Sequence, residues 1–572
     1  MYQLQRRPKV QDKHLNHVES PLIRQIYARR GMLAEHYPLT LKQLLRPDTM
    51  HDLNKAAVLV ADTLIDQQRI LIVGDFDADG ATSTAICCLA LRQMGAQHVD
   101  YLIPNRLKHG YGLSPALVEL AHEKQADLLI TVDNGISSFD GVAAAHALDM
   151  NVVITDHHVA GNSIPPAEAV VNPNQPLCSF ESKSIAGCGV AFYLMTMIRQ
   201  ELVKRDWFHD RPCPNLGELL DFVALGTVAD VVPLDTNNRI LVEAGLQRIR
   251  RGRAHLGIKA LMDVAQCNPW VLDASSLGFA LAPRLNAAGR LDDMCLGVEL
   301  LLSDDLHQAR DYAKQLDALN KERRTVEQRM KEEALDRLED ITFDIEKMPL
   351  GLALFDENWH QGVIGILASR LKDRYYRPVI AFAPSDDTYL KGSARSIAGV
   401  HIRDVLQEIN AKQPEFIEAF GGHAMAAGLT LKRANFSAFS RLYLEVLQNK
   451  ISDEMLHQIL LSDGELEPSL LTLSTAHQLK EAGPWGQHFP EPVFDGTFFV
   501  LEQKLLADKH VHFSLMSLCR TVKVQAIWFQ ADLSICPNDR IQKIHLAYRM
   551  DVNYFRGKQQ LQLIVLYAKP SD

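Results

Sequence analysis

Between Arg69 and Val171 the chain alternates short apolar runs with stretches of helical length. The runs are Ile70–Val73, Val99–Ile103, Leu128–Val132, Val152–Thr155 and Ala169–Val171, rich in Val, Ile and Leu and each bounded by Gly, Pro, Asp or Asn. This alternation predicts a parallel α/β sheet. Helices are expected at Ala81–Met94, which Gly95 ends, and at Ser114–Lys124, where Ser114 caps and Pro115 occupies the first turn. Val190–Val203 and Leu216–Ala229 also read as helices, and the chain stays largely helical to about Leu302.

From Ser303 to Glu339 charged residues are interleaved with Leu306, Ala309, Ala313, Leu316, Leu319, Val326, Met330, Leu335 and Leu338, which fall along one side at helical spacing. A long connecting helix is predicted, with Lys321-Glu322-Arg323-Arg324 on its solvated face. Met348-Pro349 breaks the pattern. A second unit follows to about Leu447, with strand-like Gly351–Phe355 and Pro378–Phe382, and Ile451–Leu479 reads as a polar, helix-rich join. The runs Thr497–Leu501, His510–Leu515, Val522–Phe529, Ile544–Met550 and Leu561–Tyr567 then predict a small β-barrel of five strands. The expected division is 1–302 for an N-terminal segment and α/β domain, 303–346 for the connecting helix, 347–450 for a smaller α/β domain, and 451–572 for the join and barrel.

Composition narrows the class. At 572 residues the chain is too long for one core, and its 47% hydrophobic and 23% charged content is that of ordinary globular proteins. The longest apolar runs fall well short of the roughly 18 residues of a membrane span. Arg6, Arg7 and Lys9 near the start are followed by no apolar stretch, so a secretory signal is not supported and a cytoplasmic location is expected. Nine cysteines without any Cys-x-x-Cys pair indicate neither a disulfide framework nor a thiolate zinc site. A net charge of −10 argues against general coating of nucleic acid, yet Leu501–Asp572 carries ten Lys or Arg against six Asp or Glu, which makes the C-terminal end the basic one.

The chemistry concentrates after the apolar runs. Asp75, Asp77 and Asp79 alternate in Gly74-Asp75-Phe76-Asp77-Ala78-Asp79-Gly80, directly after one strand and before a helix. Three carboxylates on one turn repel unless a cation sits among them. A calcium-binding EF-hand loop is excluded, because its twelfth position holds Ile86 and a strand precedes it. Asp133 follows Leu128–Val132, and Asp156-His157-His158 follows Val152–Thr155. The carboxyl ends of strands in an open parallel sheet meet at one crevice, so these groups converge. Carboxylates with a little imidazole suit Mn²⁺ or Mg²⁺, and the set is large enough for two ions. Asp230, in an otherwise apolar segment, is costly to bury unless it binds something.

In order, DFDADG, VDNG, TDHH and GTVAD resemble the motifs of the DHH phosphoesterase superfamily. Asn105–Gly112, Pro283–Arg290, Gly392–Ser396, Gly421–Gly428 and Gly483–Phe494 are similar to segments of its bacterial 5′ to 3′ exonucleases specific for single-stranded DNA. The first motif departs from smaller members such as inorganic pyrophosphatases, since Val73 stands where they place a His and Asp75 substitutes.

The resemblance implies that Asp79, Asp133, His157 and Asp230 hold one divalent cation, and Asp77, Asp133 and Asp75 the other. Asp156 would orient a histidine and His158 stabilise charge on the phosphoryl oxygens, in a two-metal-ion hydrolysis. Ser393 and Arg395 would grip a terminal 5′ phosphate, with Arg284 or Arg290 helping. Arg106, Gly421, Gly422 and His423 complete the implied substrate contacts.

The barrel resembles an oligonucleotide-binding (OB) fold, with Arg549, Arg556 and Lys558 expected on phosphates. Mononucleotides would leave the 5′ end of a strand threaded between the first two domains through a passage too narrow for a duplex. A role in recombination and repair, including mismatch repair, is implied, with single-stranded DNA-binding protein and a helicase as partners. Nothing in the sequence suggests an obligate dimer, so a monomer is expected. A short-oligonucleotide or cyclic-dinucleotide phosphodiesterase is the rival enzyme reading, and a non-catalytic DNA-binding scaffold the rival of another class.

Overall fold

The computed structural model describes residues 2–105, 111–339, 348–538, 540–555 and 557–571. The chain falls into two compact units, one of residues 7–321 with 463–572 and one of residues 1–6 with 322–462.

In the first unit β2 (Ile70–Val73), β3 (Val99–Leu102), β4 (Leu128–Val132), β5 (Asn151–Thr155) and β6 (Ala169–Val171) form the predicted parallel sheet, in the order β3-β2-β4-β5-β6. Its three inner strands are buried along nearly their whole length, which is why they read as unbroken apolar runs. The helix after β2 spans Ala78–Gln93 and starts three residues before the expected position. Asp77 sets that start, its carboxylate accepting from the Asp79 and Gly80 amides at 2.9 and 3.0 Å.

The C-terminal strands β13 (Phe494–Leu506), β14 (His510–Ser517), β15 (Lys523–Trp528), β16 (Lys543–Phe555) and β17 (Lys558–Ser571) close into the expected barrel, in the order β13-β14-β15-β17-β16. A single apolar core continues from the helices around the sheet into the barrel. The segment Gly483–Phe494 joins them: Leu234 N donates to the Gln487 carbonyl at 2.8 Å, and the Arg239 guanidinium lies 3.7 Å over the Phe489 ring. Asp463 anchors the entry to this region. It accepts from both Nη atoms of Arg30 at 3.0 Å, with the two side chains 1–2% exposed.

In the second unit β7 (Leu352–Phe355), β8 (Val379–Pro384), β9 (Tyr389–Arg395), β10 (Ile417–Gly422) and β11 (Ala426–Lys432) make a mixed sheet in the order β10-β11-β9-β8-β7. Its N-terminal strand β1 (Tyr2–Arg6) pairs in parallel with β12 (Gln458–Ser462). The Ile451–Leu479 join is therefore partly strand rather than helix-rich. Its partner lies about 450 residues away, so no local pattern marks it. The long helix runs Leu306–Glu339, with Ala309, Ala313 and Leu316 fully buried.

Replacing Asp463 with Ala leaves the buried Arg30 cation without its counter-charge, a change that costs about 3–5 kcal/mol. We expect the urea midpoint, followed by the fluorescence of Trp485, which lies 5.4 Å under the Arg30 guanidinium, to fall accordingly.

Candidate cation site

Most residues of the site lie just beyond the carboxyl ends of the strands. Asp75 and Asp77 follow β2, Asp133 follows β4, and Asp156 and His157 follow β5. Asp79 lies in the first turn of Ala78–Gln93, and its carboxylate accepts from the Gly187 and Cys188 amides at 2.7 and 2.9 Å, at the start of helix Gly187–Lys204. Two helix N-termini thus face the acidic loop and partly offset its charge. Asp230 ends helix Leu220–Ala229 from the other side.

The carboxylates crowd. Oxygen or imidazole nitrogen atoms of Asp79, His157 and Asp230 lie within 4.8 Å of one another; the same holds for Asp75, Asp77 and Asp133, and for Asp133, His157 and His158. Gly187 is packed so closely that a Cβ there would stand 2.8 Å from Asp133 Oδ1. His157 Nε2 is 3.1 Å from Asp133 Oδ1 and 3.4 Å from Asp230 Oδ2. His157 Nε2, Asp133 Oδ1 and Asp75 Oδ1 are nevertheless buried without a hydrogen-bond partner.

Electrostatics follow from that geometry. Burial, reinforced by Asp77, raises the Asp75 carboxyl to about 7, and burial with Asp79 and Asp77 raises Asp230 to about 8. Burial and neighbouring carboxylates push Asp77 and Asp133 up as well. Burial holds His157 below the ordinary histidine value.

Asp156 behaves oppositely. Burial would raise it, but His158 and the amides of Ile136, His157 and His158 bring it below the usual range. Burial pulls His158 down, while the 2.8 Å contact of its Nδ1 with Asp156 outweighs that and carries it to about 9. Unpaired buried lone pairs, mutual repulsion and a carboxylate-imidazole donor set together fit divalent cations of the Mn²⁺ or Mg²⁺ kind.

Several contacts were not legible as such in the sequence. Asn286 Oδ1 accepts from the Ala78 amide at 2.8 Å, and a Cβ on Gly289 would meet the Phe76 carbonyl at 1.7 Å, so Pro283–Arg290 buttresses the acidic loop. Asn172 and Asn174 Nδ2 donate to the carbonyls of His158 and His157 at 2.9 and 2.6 Å. Tyr111 lies against His158, its hydroxyl 3.2 Å from Nδ1. The segments of Tyr111 and Asn286 stood out in the sequence, but Asn172 and Asn174 carried no signal there.

The remaining expected residues are dispersed. Arg284 Nε and Nη2 are 2.9 and 2.8 Å from Asp317 Oδ1, so its guanidinium is engaged within the fold, and Arg290 is exposed near the end of the same helix. In the second unit, strand register sets Ser393, Gly428 and Gly421 in one row across β9, β11 and β10. Arg395 Nη1 donates to Ser393 Oγ at 3.1 Å and lines a cavity of about 470 Å³ with Gly362, Gly365, Ser369 and Arg370. Gly422 has φ +143°, and His423 is exposed in the β10–β11 turn. On the barrel Arg549 pairs with Glu491 at 2.6 Å, and Lys558 is exposed. Arg106 and Arg556 lie outside the described residues.

Comparison with known proteins gives the same architecture. Residues 69–227 match the DHH family N-terminal domain, 348–449 the DHHA1 domain and 462–567 the RecJ OB domain. The single-stranded-DNA-specific exonuclease RecJ of Dickeya dadantii is 50% identical over 99% of each chain. That of Escherichia coli is 48% identical over 98% of each. Crystal structures of Thermus thermophilus RecJ with Mn²⁺ and with Mg²⁺ superpose with TM-scores of 0.77 and 0.73, at 28% and 27% identity, over this whole chain and 80% and 78% of theirs. Among the described residues no helix is long and apolar enough to cross a membrane. With identity near one half sustained along the full chain and all three domain models in order, the chain belongs to the RecJ family of single-stranded-DNA-specific exonucleases.

Proposed function

We propose that the chain is a cation-dependent exonuclease that removes 5′-mononucleotides from the 5′ end of single-stranded DNA, in recombination and repair. The observation that carries this reading is the gathering of Asp75, Asp77, Asp79, Asp133, His157 and Asp230 around buried, unpaired ligand atoms. Asp79, Asp133, His157 and Asp230 would hold one Mn²⁺ or Mg²⁺, and Asp75, Asp77 and Asp133 the second. When bound, two such cations polarise the scissile phosphate and lower the pKa of an attacking water.

The chain's own groups supply the rest. His158, held positive by Asp156, offers charge to the phosphoryl oxygens. Ser393 and Arg395, beside a cavity large enough for a phosphate, take the terminal 5′ phosphate and so set polarity. Gly421, Gly422 and His423 border the same row of the sheet, while Arg106, Arg284 and Arg290 are assigned to the substrate by family likeness alone. Arg549, Arg556 and Lys558 hold the strand on the barrel by phosphate attraction. The reading includes a monomeric, cytoplasmic enzyme that works with single-stranded DNA-binding protein and a helicase.

The deciding experiment is Mn²⁺-dependent nucleotide release from end-labelled single strands. Asp133→Ala should lower the rate by at least about 10²–10³-fold, the scale of losing one transition-state stabiliser; an unchanged rate removes the enzymatic reading. Arg395→Ala should erase most of the preference for 5′-phosphorylated over 5′-hydroxyl ends, about ten- to a hundredfold in kcat/KM, for one charge-assisted contact.

The metal-free protein should show the repulsion directly. Above about pH 4 the unfolded carboxyls have released protons that folded Asp75 and Asp230 retain until about 7 and about 8, so stability falls as pH rises through that window. His158, raised to about 9, acts in the same direction. We expect Tm without metal to drop from pH 5 to pH 8, and Mn²⁺ to raise Tm more at pH 8 than at pH 5.

A further inference from the structure

The geometry points to Tyr111 as a positioning residue for the cation site, acting through Asp133 and His158. This rests on the cation reading above and extends it to a residue outside the ligand set. Asp133 belongs to two of the three groups able to hold an ion, yet its backbone sits at φ +61°, in the left-handed region that non-glycine residues occupy sparingly and that a local restraint helps to hold. Tyr111 supplies that restraint. Its hydroxyl donates to the Asp133 carbonyl at 3.1 Å, fixing the plane of the peptide that follows the carboxylate-bearing carbon.

The same oxygen lies 3.2 Å from His158 Nδ1. That ring's proton is directed to Asp156 at 2.8 Å, so Tyr111 acts as the weaker second acceptor and spends its own proton on Asp133. The phenol ring stands edge-on to His158 at 5.8 Å and to Phe76, inside the acidic loop, at 6.1 Å. One side chain thereby touches the loop of Asp75–Asp79, the shared Asp133 and the charged His158.

Tyr111 is itself held to the segment that follows Asp133. Leu113 N donates to Ser138 Oγ at 3.1 Å, and the Leu113 carbonyl packs against Gly141 so closely that a Cβ there would stand 2.1 Å away. The backbone two residues beyond Tyr111 is thus anchored to that segment, and the hydroxyl itself is held by Asp133 and His158. An outer contact of this kind governs how well a ligand is presented and commonly changes affinity or activity by about 10–100-fold.

The test is Tyr111→Phe, which keeps the ring and removes only the hydroxyl. Calorimetric titration of Mn²⁺ into the full-length protein without DNA should give a Kd about tenfold weaker than wild type. At low Mn²⁺ kcat should fall, and it should recover as Mn²⁺ is raised, while KM for a 5′-phosphorylated single strand stays unchanged. An unaltered Mn²⁺ affinity overturns the proposal, whether KM rises, which would make Tyr111 a substrate contact, or nothing changes. The calorimetric arm needs no nuclease activity, so failure of the exonuclease reading and failure of the Tyr111 assignment are told apart.

Discussion

Carboxylates forced together in a poorly hydrated crevice repel one another, and much of the first unit can be understood as the means of holding them there. Asp77 and Asp79 are each tied to backbone amides at a helix start, which converts part of the repulsion into charge-assisted hydrogen bonds. Asn286 and the close contact at Gly289 brace the loop from behind, so it cannot relax by swinging outward. What remains uncompensated is directed inward, at Asp75 Oδ1 and Asp133 Oδ1, which are buried without a hydrogen-bond partner.

Burial alone does not mark these residues. Asp156 and Asp221 are as deeply buried as Asp133, but their oxygens are taken. Asp156 accepts from three amides and a histidine, and Asp221 from the His255 and Phe222 amides and the His255 ring. Asp156 and Asp221 are thus fixed structural anions, whereas Asp75 Oδ1 and Asp133 Oδ1 stand unpaired among like charges. Asp156 then has a separate use: as a negative charge it keeps His158 protonated at the edge of a site dominated by acids.

The parallel sheet and the barrel were legible because their strands are internally apolar and bounded by turn residues, so local pattern suffices. Most ligand candidates were legible for a related reason: Asp75, Asp77, Asp133 and His157 lie just beyond strand ends, and sheet topology brings those ends together, whereas Asp230 stood out as an acid in an apolar segment. What escaped depends on partners that no local pattern names. β12 needs β1, Arg284 needs Asp317, and Arg549 needs Glu491. The glycine-rich strands β10 and β11 carry too little apolar periodicity to declare themselves, although Gly421 and Gly428 stood out for another reason. Helix Ala78–Gln93 was placed three residues late because Asp77 was read only as a ligand, when it is also the cap.

The barrel bears on the cation site through the backbone. Asp230 closes helix Leu220–Ala229, and the next residue, Val231, has φ +60°, a strained conformation for a β-branched side chain. Three residues further on, Leu234 N is fixed to the Gln487 carbonyl in the segment that leads into the barrel. Arg239, packed on Phe489, secures the following helix to the same segment. The turn that presents Asp230 is thus strained at its centre and clamped at both ends, once by its helix and once by the approach to the barrel. The segment that leads into the barrel therefore also fixes the far end of the turn that presents Asp230.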